Sequence, residues 1–150
     1  MSESPSFEEI LHLIPHRDPF LWVDRIISVS EIQIITEKDI PDDLDLFRGH
    51  YPGNPIMPGV LLCEAIFQSG ALLMAKNARD QSGPRRQLPI LTRIGGAKFK
   101  RTVGPGDTIR MEVMLVEEIA SVAILRGTLR VNGKVAVKVD FSCATTLNVA

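Results

Sequence analysis

Hydrophobic and polar residues alternate along much of the second half of the chain. Apolar side chains fall on every second position in residues 108–119 and again in residues 135–144, and branched aliphatic side chains are frequent in residues 121–131. Asn132-Gly133, a pair that favours tight hairpin turns, separates the last two segments. Because period-two alternation is typical of strands with one buried face, the pattern predicts an antiparallel meander with one face in water. The side chains expected to face inward from the last strand are Val135, Val137, Val139, Phe141 and Cys143.

The rest of the chain carries two different patterns. Apolar residues at helical spacing in residues 6–14 predict a short amphipathic helix, which Pro15 ends. Residues 20–40 are rich in branched and aromatic side chains and predict two strands, joined as a hairpin. One more strand is predicted over residues 88–103, with a kink or bulge at Gly95-Gly96, because glycine weakens a regular strand.

Residues 58–77 form a run that is apolar on nearly every side. The run predicts a long helix, and Pro58 suits its first turn because the missing N–H would have no partner there. Its length matches a membrane span, but it contains the polar residues Glu64, Gln68 and Ser69. We therefore expect a helix wrapped by its own protein. The predicted fold class is α+β, with a curved antiparallel sheet around one central helix.

The composition is that of one globular domain spanning residues 1–150. Hydrophobic residues make up 45% of the chain and charged residues 23%, with a formal net charge of -1. These values argue against disorder and against a broad basic face for nucleic acid. The two cysteines, Cys63 and Cys143, indicate buried free thiols in a reducing compartment, and the first residues lack the pattern of a secretory signal. We predict a cytoplasmic protein without a membrane span.

The segment Gly49–Val60, GHYPGNPIMPGV, places one histidine in a loop shaped by three prolines. Proline and glycine at this density exclude regular structure, but proline fixes the backbone, so His50 is held in place. A backbone carbonyl partner would account for a purely structural histidine here. Glu64 follows early in the predicted helix among apolar neighbours, which favour the neutral form of a carboxyl group. The alternative for Glu64 is a structural pairing with an arginine or a helix terminus.

The predicted helix opens at Gly59, between the histidine and the carboxylate. Its first N–H groups lack helical partners and, with the helix dipole, can stabilise a carbonyl oxygen on which negative charge develops. A base at His50, an acid at Glu64 and this backbone donor suffice to remove a proton α to a carbonyl and expel a β-hydroxyl. The residues indicate dehydration and leave isomerisation, hydration and thioester hydrolysis open. We predict no metal and no cofactor.

Two other groups of polar residues offer weaker alternatives. His12 and His16 have the i, i+4 spacing of a helical metal pair, but Pro15 between them disfavours one continuous helix face. A basic cluster near the end of the strand predicted over residues 88–103 is either a solvated strand face or a docking site for an acidic carrier protein. Its residues are Lys98, Lys100 and Arg101, with Arg85, Arg86 and Arg93 as helpers.

Four segments resemble, in this order, the FabZ-type 3-hydroxyacyl-acyl-carrier-protein dehydratases, a family with the hot-dog fold. They are LIPHRDPFLWVDRI, GHYPGNPIMPGVLLCEAIFQ, AKFKRTVGPGD and FSCA, and together they span nearly the whole chain. The resemblance implies that His50 takes the α-proton and that Glu64 protonates or orients the departing hydroxyl, directly or through water. The Gly59 N–H would bind the thioester carbonyl. Relatives that also isomerise carry aspartate in place of Glu64, which implies the non-isomerising branch.

The same resemblance implies a substrate, a partner and an assembly. A (3R)-3-hydroxyacyl chain on acyl carrier protein would become the trans-2-enoyl product in fatty-acid synthesis, without cofactor or metal. The family works as a homodimer or a trimer of dimers, in which the histidine of one subunit faces the acid of the other. The chain departs from the family pattern at Asp18, Trp22, Gly95 and Gly96. A thioesterase of the same fold and a non-catalytic acyl-binding or partner subunit are the alternatives.

Overall fold

The computed structural model of the protein describes residues 5–78 and 87–147. These residues contain two α-helices, α1 (Pro5–Leu13) and α2 (Gly59–Asn77), and a short 3-10 helix at Asp45–Arg48. The strands are β1 (Arg25–Val29), β2 (Gln33–Asp39), β3 (Gln87–Phe99), β4 (Thr108–Ile119), β5 (Val122–Val131) and β6 (Lys134–Leu147). They form one antiparallel sheet in the order β1-β2-β4-β5-β6-β3. The predicted α+β architecture is confirmed.

The long helix α2 forms the core of the domain. It packs against β2, β3, β4, β5 and β6, and twelve of its residues are buried. The helix is long and apolar enough to cross a membrane, but 67% of its apolar window is buried inside the protein. Glycine allows the sheet to approach it closely, because a side chain at Gly127 on β5 would overlap Ile66. The prediction of a helix wrapped by its own protein is confirmed.

Alternation along the strands sets which side chains face α2, with one exception. The inward residues that follow the prediction are Ile109, Met111, Val113, Val137, Val139, Phe141 and Cys143. The prediction that Val135 points inward is wrong, because the β5–β6 register shifts between Leu129 and Arg130 and buries Ala136 instead. The Asn132-Gly133 turn has positive φ at both residues, 53° and 77°, as a tight primed hairpin requires.

The first strand is shorter than the branched residues predict, since it begins only at Arg25. Two backbone groups before it bond a side chain instead of a strand: the Trp22 N–H donates to Gln68 Oε1 (2.8 Å) and Gln68 Nε2 donates to the Phe20 carbonyl (2.9 Å). The Trp22 side chain is buried in the core, whereas Asp18 is exposed.

Strand β3 lies at one edge of the sheet and carries the predicted irregularity. Its register with β6 shifts between Ile94 and Ala97, at Gly95-Gly96, and also between Leu91 and Arg93. A Cβ on Gly95 would lie 3.0 Å from the Asp140 carbonyl oxygen, so the close approach of the two strands favours glycine there. The predicted bulge is confirmed.

Candidate active site

Glu64 lies in the second turn of α2, and its side chain is 22% exposed. Gln68, one turn later, donates from Nε2 to Glu64 Oε2 at 2.9 Å. His16 Nε2 lies 3.8 Å from the same oxygen. The expectation that apolar neighbours isolate Glu64 is therefore wrong, because two polar side chains face its carboxylate. One belongs to its own helix at i+4, a spacing that brings side chains together, and the other follows α1.

Gln68 is held in one orientation by its partners. Its side chain is almost fully buried, with an exposed fraction of 1%. The Trp22 N–H can only donate and the Phe20 carbonyl can only accept, so the first fixes Oε1 and the second fixes Nε2. The remaining N–H then points to Glu64. Sequence reasoning missed this role, although the i+4 spacing from Glu64 was a signal that could have found it.

Glu64, Gln68 and His16 line one pocket of about 170 Å³ between α2, β3 and β6. Its other lining residues are Phe67, Ala71, Pro89, Leu91 and Cys143. Burial, and to a smaller extent the charge of Glu64, raise the pKa of the Cys143 thiol to about 11. The thiol is therefore protonated near neutral pH and is a poor nucleophile. The pocket combines one carboxylate with largely apolar walls, which suits a ligand that has a polar group attached to an alkyl chain.

His50 lies in the loop before α2 and is half-buried. Its Nδ1 is 2.8 Å from the Ile56 carbonyl oxygen. A carbonyl can only accept, so Nδ1–H is the donor and a neutral ring carries its lone pair on Nε2. The Tyr51 ring stacks on the imidazole at 4.1 Å, and the Ile56 N–H donates back to the His50 carbonyl. The carbonyl partner expected of a structural histidine is present, and it also leaves Nε2 able to accept a proton.

Helix α2 begins at Gly59, after Pro58, and no side chain caps it. Within the described part of the chain, no acceptor bonds the Gly59 N–H. A Cβ at Gly59 would lie 2.8 Å from Cε1 of Phe99, whose ring covers this position. The structure thus gives a physical reason for glycine at the start of the helix and leaves its N–H available to a ligand.

A single chain does not bring all the predicted site residues together. The pocket at Glu64 is lined by residues of α2, β3 and β6 and by His16, but His50 is not among them. His50 instead belongs to the loop that packs through Met57, whose N–H donates to the Val103 carbonyl at 2.7 Å. The histidine and the carboxylate are therefore two separate parts of a site within one protomer.

The weaker candidates are placed as follows. The exposed basic residues at and after the end of β3 are Lys98, Lys100 and Arg101. Lys98 is opposite Lys138 in the β3–β6 pair, and Arg93 is exposed on β3, while Arg85 and Arg86 lie outside the described residues. Among the residues that the structure covers, no group of three or more His, Cys, Asp or Glu side chains could hold a metal. His16 faces Glu64, whereas His12 is exposed.

Known proteins are similar to this chain in sequence and in architecture. The family model of the FabA-like domain matches residues 14–140. The 3-hydroxyacyl-[acyl-carrier-protein] dehydratase FabZ of Proteus mirabilis is 40% identical over 139 residues, 91% of this chain and 91% of that protein. FabZ of Chloroflexus aggregans is 48% identical over 111 residues, 73% of this chain and 74% of that protein. The dehydratase heterocomplex ApeI:P from Xenorhabdus doucetiae matches with a TM-score of 0.72 at 15% identity, over 90% of this chain and 89% of that one.

These similarities confirm the hot-dog fold and define the class of protein as FabA-like. The chain belongs, within that class, to the family of FabZ-type 3-hydroxyacyl-[acyl-carrier-protein] dehydratases. The protein is therefore an enzyme, a hydro-lyase. A thioesterase from Haemophilus influenzae also shares the fold, with a TM-score of 0.62 over 84% of this chain and 80% of that one. At 10% identity this likeness shows the fold alone.

Proposed function

We propose that the protein removes water from a (3R)-3-hydroxyacyl thioester on acyl carrier protein and forms the trans-2-enoyl thioester in fatty-acid biosynthesis. His50 removes the α-proton, Glu64 holds or protonates the departing hydroxyl, and the Gly59 N–H binds the thioester carbonyl. The observation that carries this proposal is the bond from His50 Nδ1–H to the Ile56 carbonyl, which leaves Nε2 as the free base. The substrate class follows the FabZ relatives.

The chemistry needs only protein groups. His50 Nε2 takes the α-proton, and the electron pair of the broken C–H bond moves toward the thioester, whose oxygen gains negative charge near the start of α2. The β-carbon–oxygen bond then breaks as the α–β double bond forms. The departing hydroxyl takes one proton and leaves as water; the proton comes from Glu64 where it acts as the acid, or from the protonated His50 where Glu64 only holds the hydroxyl. Gln68 already occupies Glu64 Oε2, so Oε1 is the oxygen that faces the substrate hydroxyl.

The reacting pair is completed by a second copy of the chain in this proposal. His50 of one subunit faces Glu64 of the other in a homodimer, and dimers can assemble further into a trimer of dimers. Two observations support the shared site: the Glu64 pocket lacks His50, and it borders β3, an edge strand. Large apolar side chains that are exposed on the described part of β3 include Ile90, Leu91, Ile94 and Phe99. An edge strand of this kind is covered in native proteins, and a second copy provides the cover.

The carrier protein docks, in the same proposal, on the basic cluster of Lys98, Lys100 and Arg101. All three side chains are exposed, and none forms an ion pair with a carboxylate of the described residues. The cluster lies at and just after the end of β3 and adjoins Phe99, which covers Gly59. Positive charge there would steer an acidic partner to the start of α2. The protein works in the cytoplasm, where this carrier and its thioesters would be available.

The experiment follows the absorbance of the enoyl thioester when purified protein meets a 3-hydroxyacyl carrier-protein substrate. We expect product with the wild type and a loss of about 100-fold or more in His50→Ala and Glu64→Gln, because each removes one acid–base group. His12→Ala, an exposed histidine on α1, is the matched control and keeps full activity. A folded wild type that forms no enoyl product contradicts the proposal, and release of a free thiol would instead identify a thioesterase.

A further inference from the structure

His16 is a titratable side chain of the Glu64 pocket that the proposed chemistry does not use. Its Nε2 is 3.8 Å from Glu64 Oε2. Its Nδ1 is buried and has no hydrogen-bond partner among the described residues. A buried polar atom without a partner is uncommon in folded proteins and requires an explanation. Its position in the reacting pocket suggests one.

The surroundings of the ring select one tautomer. A proton on Nδ1 would bury a donor without an acceptor and would turn the Nε2 lone pair toward the Glu64 carboxylate. A proton on Nε2 instead points a donor at Oε2 and leaves only an unpaired acceptor at Nδ1. The Nε2–H tautomer therefore attracts the Glu64 carboxylate, whereas the Nδ1–H tautomer would repel it. His16 therefore presents Nε2–H to Glu64.

The charge state of the His16 imidazole agrees with an Nε2–H that faces Glu64. Burial lowers the pKa of His16 below its usual value, the Glu64 carboxylate opposes the shift, and Arg17 adds to it. Among the described residues, the other titratable group that lines the pocket is Cys143 on β6, whose raised pKa keeps it uncharged near neutral pH. The imidazole is therefore neutral at pH 7 and acts as a donor without adding a positive charge to the pocket.

The backbone of His16 is fixed independently of its ring. The Arg17 guanidinium donates to the carbonyls of Leu11 (2.7 Å), Ile14 (2.8 Å) and His16 itself (2.7 Å), which ties the segment to the end of α1. The distance of 3.8 Å to Glu64 exceeds a hydrogen bond. Hydrogen bonds of catalytic groups are often long without substrate and shorten when it binds. The ring can thus close on the carboxylate while its backbone stays in place.

We propose that His16 is a positioning residue for Glu64. When substrate fills the pocket, the neutral Nε2–H donates to Oε2 beside the bond from Gln68, so that Oε1 is directed to the substrate hydroxyl. This role rests on the proposed dehydration, but His16 itself exchanges no proton with the substrate. It adds a residue from the segment after α1 to a site otherwise built from α2 and the His50 loop.

Three variants test this role by steady-state kinetics. His16→Leu removes the donor at similar volume, and we expect kcat to fall about 10- to 100-fold with little change in KM, because a misplaced group affects mainly the transition state. His16→Gln keeps an N–H near the position of Nε2 and restores most of kcat. His12→Leu, at an exposed histidine four residues earlier, is the matched control. An unchanged kcat in folded His16→Leu, or a His16→Gln as slow as His16→Leu, overturns the proposal.

Nitrogen NMR of the imidazole ring gives a second readout that needs no turnover. We expect the Nε2–H tautomer in the wild-type protein. In Glu64→Gln we expect a further lowering of the His16 pKa, because the carboxylate that raises it is gone. An unchanged His16 pKa in that variant overturns the positioning role even if the wild type is active. An inactive wild type whose His16 still responds to Glu64 overturns the proposed dehydration and retains the contact.

Discussion

The carboxylate and the histidine of the candidate site are held in place by different kinds of interaction. Glu64 is bonded by the side chain of Gln68, which is fixed in turn by the backbone of Phe20 and Trp22 before β1. His50 is held by backbone groups of its own loop, through the Ile56 carbonyl. The acid therefore depends on contacts between distant segments, whereas the histidine depends on the local shape of one proline-rich loop.

This difference indicates which substitutions should affect Glu64 and which should affect His50. A buried polar network loses several hydrogen bonds when one member is removed. The buried groups left without a partner then destabilise the folded state. A loop fixed by prolines keeps its shape when a side chain elsewhere in the protein is changed. We expect substitutions in the core to disturb the position of Glu64. The position of His50 should change only with substitutions in its own loop or at the subunit interface.

The largest expected effect is the recovery of activity in a mixed dimer. Folded His50→Ala and Glu64→Gln protomers, dissociated and reassembled together, should regain about a quarter of wild-type activity, because about half of the reassembled dimers are mixed and one of the two sites in each mixed dimer is intact. Each variant alone should remain about 100-fold or more below the wild type. The measurement is enoyl-thioester formation before and after mixing. If the histidine and the acid of one chain formed the site together, mixing would restore nothing.

Removal of the Gln68 amide should come next in size. Gln68→Leu leaves the Trp22 N–H and the Phe20 carbonyl unpaired, and we expect the free energy of unfolding to fall by about 2–4 kcal/mol. Because Glu64 loses its bonded donor as well, kcat should fall about tenfold. Denaturant unfolding and enoyl formation measure the two effects.

Ser69→Ala is the matched control for that substitution. Ser69 is equally buried on α2 and bonds Thr36 and the Ala65 carbonyl, but it does not bond Glu64. Its loss should lower stability by about 1 kcal/mol and leave kcat unchanged. Equal losses of kcat in the Gln68→Leu and Ser69→Ala proteins would show that Gln68 acts on activity only through stability.

A smaller effect is expected at the start of α2. In Gly59→Ala the new Cβ meets the ring of Phe99, which is more than half exposed and can turn aside, so stability should change little. The displaced ring crowds the N–H that binds the carbonyl in our proposal, and kcat/KM should fall several-fold. Gly59→Ala combined with Phe99→Leu should recover part of the loss. A double variant no better than Gly59→Ala would contradict crowding by the ring.

The smallest effect is a change in the pKa of Cys143. Burial, and to a smaller extent the Glu64 charge, raise this pKa to about 11, so Glu64→Gln should lower it. At a fixed pH near 9 the thiolate fraction then increases, and alkylation of Cys143 by iodoacetamide should become faster. Cys63 is the internal control, since burial alone raises its pKa. Equal acceleration at both cysteines would indicate a general loosening of the fold.

Much of the fold was predictable because it depends on local patterns. Alternation identified the inward faces of β4 and most of β6, and Asn132-Gly133 identified the hairpin between β5 and β6. The pattern failed at Val135, because a register shift depends on the partner strand and has no signal in the alternation itself. It failed again before Arg25, where the Phe20 carbonyl and the Trp22 N–H bond a glutamine side chain instead of another strand.

The central helix, the strands of the sheet, and the placement of His50, Gly59 and Glu64 around the start of that helix could be predicted from residue patterns, since each follows from composition and spacing within one segment. The surroundings of the carboxylate depend instead on how separate elements pack. His16 reaches Glu64 because α1 and the segment after it fold against α2, and Gln68 reaches backbone groups before β1 for the same reason. Periodicity reports which face of an element is buried, but it carries no information about which side chains of separate elements meet there.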